Sequence, residues 1–240
     1  MTRDQITAFR LEEFMNRRYE FRWNTVLGEL EFRQRDSIHF HFRPADQRVR
    51  SSIGQNALKE GISVWDRDVA RYLNSDAIPL YNPIEEYLYN TGRWDGKDRI
   101  RALADLVPCN NPYWRELFYR WFLSMTAHWQ NIDRQHGNNT SPLLVGAQGY
   151  RKSPFCRILL PPELRCYFYT KTNSDRLNKD DLFSLTEFAL ICFEELDGMR
   201  PAELNQLKAM VTMPYVNERA AYGRNKERHP HIASFCGTGN

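Results

Sequence analysis

Leu143, Leu144 and Val145 run into Gly146-Ala147-Gln148-Gly149-Tyr150-Arg151-Lys152-Ser153, after which an apolar stretch at helical spacing begins. Strand, glycine-bearing turn, Lys-Ser and helix is the order in which a chain builds a nest of backbone amides around a polyphosphate. Gly146 and Gly149 let the backbone curl without Cβ clashes, Lys152 brings a point charge to the outer phosphates, and the Ser153 hydroxyl can ligate magnesium. The expected ligands are therefore ATP and Mg2+. Two residues depart from the pattern. Arg151 stands where Gly-Lys-[Ser/Thr] has its glycine and costs steric freedom. Pro154 has no N–H to offer and biases Ser153 away from helical dihedrals, although proline is tolerated in a helix's first turn. The plainer reading is an ordinary turn carrying two solvated charges.

About forty residues on, the apolar run Leu190, Ile191, Cys192, Phe193 ends in Glu194 and Glu195. Carboxylates at the end of such a strand lie where open α/β sheets bind ligands. One acid, Glu194, would hold the metal directly or through water, and the next, Glu195, would polarise the attacking water. The bland alternative is that Glu194, Glu195 and Asp197 begin a solvated loop. A last strand leads to Gly237-Thr238-Gly239-Asn240, and Asn240 at its edge is the residue chosen to orient the lytic water, unless it belongs to a disordered terminus.

Arg219, Arg224, Lys226 and Arg228 cluster with Tyr215 and Tyr222 interleaved, which suits phosphate neutralisation combined with base stacking. Glu218 and Glu227 offset part of that charge, as they would on a solvated loop. His39 and His41 alternate with Phe40 and Phe42, so on a strand they would share a face open to a metal, but a solvent-facing side is favoured. The two helices split by Gly61 are compatible with helix-turn-helix binding and equally with simple packing. Trp114, Phe118, Trp121, Phe122 and Met125 recur at helical spacing and read as core.

The elements that must position these groups follow from patterning in a chain of 240 residues, 42% hydrophobic and 13% aromatic, enough for one large or two small domains. A formal net charge of +3 requires any nucleic-acid surface to be local. Cys109, Cys156, Cys166, Cys192 and Cys236 contain no C-x-x-C pair and read as reduced core thiols, not a disulfide or zinc framework. Residues 1–14 lack an apolar signal core and no stretch reaches membrane-spanning length, so the expectation is a cytoplasmic protein with no membrane partner. A helix over 6–17, a hairpin within 25–42, two helices around Gly61 and helices over 84–89 and 114–129 come first. Strands over 143–145, 166–170, 189–193 and 232–236 then alternate with helices over 155–160, 179–185 and 201–211, which calls for a covered parallel sheet.

Taken together, Leu144-Val145-Gly146-Ala147-Gln148-Gly149 with Lys152-Ser153, Glu194-Glu195-Leu196-Asp197, Leu207-Lys208-Ala209, Arg219 with Tyr222-Gly223-Arg224, and Gly237-Thr238-Gly239-Asn240 resemble the virulence-associated protein E family. Tyr19-Glu20-Phe21-Arg22-Trp23-Asn24, the Asn82-Pro83 turn and Trp94-Asp95-Gly96 resemble that family's leader region, so the likeness runs from about Phe14 onward. These are AAA+-related P-loop ATPases similar to superfamily-three helicases, encoded on bacterial phages, integrative elements and pathogenicity islands. The resemblance implies an α/β P-loop core over residues 108–240, C-terminally incomplete after its sensor strand, behind a mostly helical α+β leader region over residues 1–107. It implies nucleotide contacts from Gly146, Gln148, Gly149, Lys152 and Ser153, with Arg151 still able to neutralise phosphate charge. Glu194 and Glu195 take metal and water activation, Asn240 the sensor role, and the basic segment a DNA-contacting hairpin within a homo-oligomeric ring. The function expected is that of a helicase-like ATPase of mobile-element DNA replication. The alternatives are a non-catalytic assembly module with a degenerate loop, and plain DNA binding.

Overall fold

The computed structural model describes residues 1–132, 138–172, 179–218 and 227–240. It divides into two compact units, Met1–Asn82 and Pro83–Asn240, whereas the sequence reading set its boundary near Val107.

In the first unit, helix α1 (Arg3–Arg18) starts at a capping box: the Gln5 amide donates to Thr2 Oγ1 at 3.3 Å, and the Thr2 amide donates back to Gln5 Oε1 at 2.8 Å. Leu11, Phe14 and Met15, spaced three and four residues apart, bury its inner face. Strands β1 (Tyr19–Asn24), β2 (Glu29–Gln34), β3 (Arg43–Pro44) and β4 (Leu80–Tyr81) form a sheet of order β3-β2-β1-β4. Helices α2 (Gln47–Lys59) and α3 (Asp66–Leu73) lie between β3 and β4 in sequence. The hairpin starts earlier than expected because Asn24 Oδ1 accepts from the Val26 and Leu27 amides, both at 3.1 Å, and Gly28 supplies the left-handed residue at φ 64°. His39 and His41 are exposed and lie outside any strand, which removes the shared face a metal would need. Arg22, inside the leader motif, reaches Glu31 at 2.5 Å and stacks under the rings of Tyr81 and Phe42, 3.5 Å and 3.9 Å from their centroids.

The second unit opens with helices α4 (Pro83–Asn90), α5 (Arg99–Ala104) and α6 (Trp114–Trp129). Arg101 on α5 pairs with Glu116 on α6 at 2.7 Å, and Trp114 Nε1 donates to the Ala104 carbonyl at 2.9 Å. Phe118, Trp121 and Met125 are buried, as the aromatic stripe predicts. Strand β5 (Leu143–Val145), helix α7 (Lys152–Ile158), strand β6 (Phe168–Lys171), helix α8 (Lys179–Glu187), strand β7 (Leu190–Phe193) and helix α9 (Pro201–Thr212) follow. A two-stranded antiparallel ribbon, β8 (Tyr215–Glu218) with β9 (Glu227–Pro230), precedes β10 (Ser234–Gly239).

The main sheet has order β5-β10-β7-β6 with every pairing parallel, in agreement with the expected α/β class. Ile191, Phe193 and Phe235 fill one face together with Leu185, Met210 and Val216. Beside β7, Lys171 and Asp181 make an ion pair at 2.9 Å with side chains 9% and 7% exposed. Asn138 Nδ2 donates to Ser234 Oγ at 3.1 Å and Trp129 Nε1 to the Ala189 carbonyl at 2.9 Å, which ties α6 and the following loop to the sheet.

Below β10's start, His231 Nδ1 donates to the Met213 carbonyl at 2.6 Å, and its ring meets that of His128 edge-on, centroids 5.0 Å apart. Burial holds the His231 pKa below its ordinary value, so the folded protein keeps this ring neutral. An unfolded chain takes up the proton sooner than the folded one, so this contribution to stability is full above about pH 6.5 and declines as pH falls from there toward the lowered folded-state value. Urea unfolding at a series of pH values should show a slope of at most about 1.4 kcal/mol per pH unit from this group. His231→Asn should flatten that part of the curve, and an unchanged curve would remove His231 as its source.

Candidate functional site

Alternation along the parallel strands decides what converges at the sheet's carboxyl edge. Cys236, Thr238 and Asn240 share one face of the β10 line, and Cys192 with Glu194 share the same face of the β7 line. The opposite face at this edge is occupied by a short 3-10 turn, Leu196–Gly198. A Cβ on Gly237 would collide with the Leu196 side chain, and one on Gly239 would stand 3.2 Å from Asp197 Oδ1, so the turn lies directly on the strand. Glycines at 237 and 239 make room for that approach.

From β5 the chain bends back through residues 146–151 into α7. Gly149 sits at φ 91° and Arg151 at φ 56°. The glycine preference of that last position thus has a physical cause: the residue before Lys152 is left-handed, and here a non-glycine side chain bears the strain. The arginine side chain is exposed. Pro154 occupies the third position of α7, where no intrahelical acceptor exists for an amide, so it fits the helix while taking one donor from its first turn. Arg151→Gly should relieve about 1 kcal/mol of backbone strain, partly offset by glycine's freedom when unfolded. A raised urea midpoint is therefore expected, and a lowered one would contradict the left-handed conformation.

Lys152 heads α7 and turns inward. Its Nζ donates to the Gly146 carbonyl, to the Ala147 carbonyl at 3.2 Å and to Asn240 Oδ1 at 3.2 Å. Asn240 is held in turn by its own amide, which donates to Asp197 Oδ1 at 3.2 Å, and the Gly146 amide donates to the Gly239 carbonyl at 3.3 Å. The Glu194 amide is fixed to the Lys171 carbonyl at 3.0 Å, and Glu195 takes a left-handed conformation at φ 55° as the chain enters the 3-10 turn. Around these groups lies an open cleft of about 390 Å³. Gln148, Gly149, Arg151, Lys152, Ser153, Glu194, Glu195 and Asn240 all line it.

Of the nucleotide and metal candidates named from the sequence, only Gly146 does not line the cleft, and it touches the site through its carbonyl and the Lys152 ammonium. Thr238 and Tyr150 also line the cleft. Thr238 was not foreseen, although strand alternation from Asn240 would have pointed to it. Arg228 sits with its guanidinium 3.6 Å above the Tyr215 ring, so this tyrosine's face is covered within the ribbon. Arg219, Arg224, Lys226 and Tyr222 lie outside the described residues. Among the described residues no helix is long and apolar enough to cross a membrane.

A family model for the virulence-associated protein E-like domain matches residues 88–240. The apo structure of the NrS-1 C-terminal region, residues 305–718, is similar in fold with a TM-score of 0.53 and 12% identity, over 100% of this chain and 58% of that one. A second structure of the region, its A form, gives 0.51 and 13%, over 98% and 56%. The chain thus spans little more than half of the solved chains it resembles, and at such identity the likeness bears on the fold alone. No curated protein matches the chain.

Proposed function

The chain belongs to the virulence-associated protein E-like family, and from that premise we propose that residues 146–153 form a P-loop of AAA+ type, the ATP·Mg2+ site of a helicase-like replication protein of mobile elements. The observation that supports this most is the convergence of Lys152, Ser153, Glu194, Glu195 and Asn240 on one cleft at the carboxyl edge of a parallel sheet. Bound there, ATP·Mg2+ supplies a phosphoanhydride bond and a cation to neutralise its charge.

Each residue then has a task that its surroundings favour. Lys152 exchanges its neutral carbonyl and amide acceptors for phosphate oxygens, which bind an ammonium more strongly. The oxygen donors of Ser153 and Glu194 suit a hard cation such as Mg2+. Glu195 accepts the proton of the attacking water, and Asn240, fixed by Asp197, orients that water from the neighbouring strand. Arg228, with Arg219, Arg224 and Lys226, is assigned to nucleic-acid phosphate, DNA by preference, in a ring of subunits within the bacterial cytoplasm.

A second reading, nucleotide binding without turnover, is favoured by one observation: Pro154 takes a donor from the short first turn of α7. Titration with a fluorescent ATP analogue, with and without Mg2+, and an assay of phosphate release separate the two. Glu195→Gln should lower hydrolysis about 100- to 10,000-fold while leaving affinity within about twofold. Magnesium-dependent binding without phosphate release would select the second reading, and no binding at millimolar protein would end both.

A further inference from the structure

One rung beneath the cleft, on the same face of the sheet, three cysteines from three different elements point at each other. Cys192 on β7 and Cys236 on β10 are register partners, and Cys156 lies one turn after Lys152 on the same side of α7. Their sulfurs all lie within 4.8 Å of one another, and the residues are 0%, 2% and 1% exposed, in that order. From the sequence they read as reduced core thiols, since ligands scattered over eighty residues carry no spacing signal.

We propose that Cys156, Cys192 and Cys236 form a three-sulfur site for a soft monovalent d10 cation, of which Cu(I) and Ag(I) are the chemical class. Three thiol ligands select soft ions over the hard cation suited to the cleft above. A metal–sulfur bond of about 2.3 Å in a trigonal arrangement sets the sulfurs about 4.0 Å apart, so the trio needs to contract by less than 1 Å. A disulfide would use two sulfurs and strand the third. Zinc prefers four ligands, and among the described residues no fourth Cys, His, Asp or Glu joins the group. Ligation takes the thiolate form of each cysteine, so binding releases protons to solvent and tightens as pH rises. The bound ion ties α7 to β7 and β10 and so closes the floor under residues 146–153.

The test needs no nucleotide, so its outcome is separable from that of the ATP reading. In a Cys109→Ser, Cys166→Ser background, which removes the two exposed thiols, the protein is incubated natively and also refolded from urea with Cu(I) supplied as its coloured bicinchoninate complex, ascorbate keeping it reduced. Transfer of one equivalent is expected, faster on refolding because the site is buried, with a rise in melting temperature. Cys156→Ala, Cys192→Ala and Cys236→Ala should each weaken binding by more than the 10- to 100-fold, roughly, that losing an outer-shell partner costs. Circular dichroism verifies folding, and Cys156→Ala, on the helix side, decides the matter if a strand variant fails to fold. Absence of transfer in both arms overturns the proposal, as does transfer that survives Cys156→Ala. A larger thermal shift with Zn2+ than with Cu(I) at equal concentration overturns the choice of a monovalent ion.

Discussion

Lys152→Ala is expected to weaken ATP binding by about 10- to 100-fold, the equivalent of the 1.5–3 kcal/mol or so that a hydrogen bond to a charged group contributes. The ammonium is partly buried and, among the described residues, donates to three neutral oxygens: two loop carbonyls and the Asn240 side-chain amide. Those partners already direct it into the cleft, so little ordering remains to be done when an anion arrives. Lys152→Arg should recover only part of the loss, because a planar fork does not fill the place of a compact point charge. Thermal unfolding of the alanine variant should change little by comparison, since the loop's bend rests on Gly149 and on the strand pairing of β5. Fluorescence titration with Mg2+ present measures the effect, and equal affinities for wild type and Lys152→Ala would remove the lysine, and the ATP site with it.

The second large effect concerns stability. Asp181→Ala should cost about 3–5 kcal/mol, because it leaves the Lys171 ammonium buried without its counter-charge. For a chain of this size that corresponds to a fall in melting temperature of about 6–20 °C. The double variant Lys171→Met, Asp181→Leu should regain most of it, since replacing both charges with apolar side chains avoids their desolvation. Thermal unfolding of the two variants is the measurement. A single variant as stable as wild type would mean that water reaches the pair. The Lys171 carbonyl also holds the Glu194 amide, so the single variant should loosen the acidic end of β7 as well.

Local chemistry explains which features could be read from the residues. Helix α6 spans the expected 114–129, because one periodic apolar stripe and polar flanks define it. Strands β5 and β7 and helices α8 and α9 fall close to their expected places for the same reason. The last strand, expected over 232–236 and leading to Gly237-Thr238-Gly239-Asn240, is β10, Ser234–Gly239. Glycine is a weak strand former, and the close approach of Leu196 and Asp197 gives the physical reason for glycines at 237 and 239 inside this strand. The first hairpin was misplaced because Phe40 and Phe42 alternate convincingly, whereas its turn is set by the Asn24 side chain. Within the cleft, the loop and the acidic pair were legible from type and order. Thr238 and the cysteine trio were not, since both depend on which face of which strand meets α7.

Among the described residues, strand β10 is the second strand of the main sheet in space and the latest of its four strands in sequence, and it is the strand with which β5 pairs. During synthesis, then, residues 143–145 wait for a partner that emerges from the ribosome nearly a hundred residues later, and β7 keeps one edge bare for the roughly forty residues between its own end and that strand. Nascent chains released before residue 239 would present open edges to each other, so this sheet should be prone to co-translational aggregation and responsive to chaperone supply.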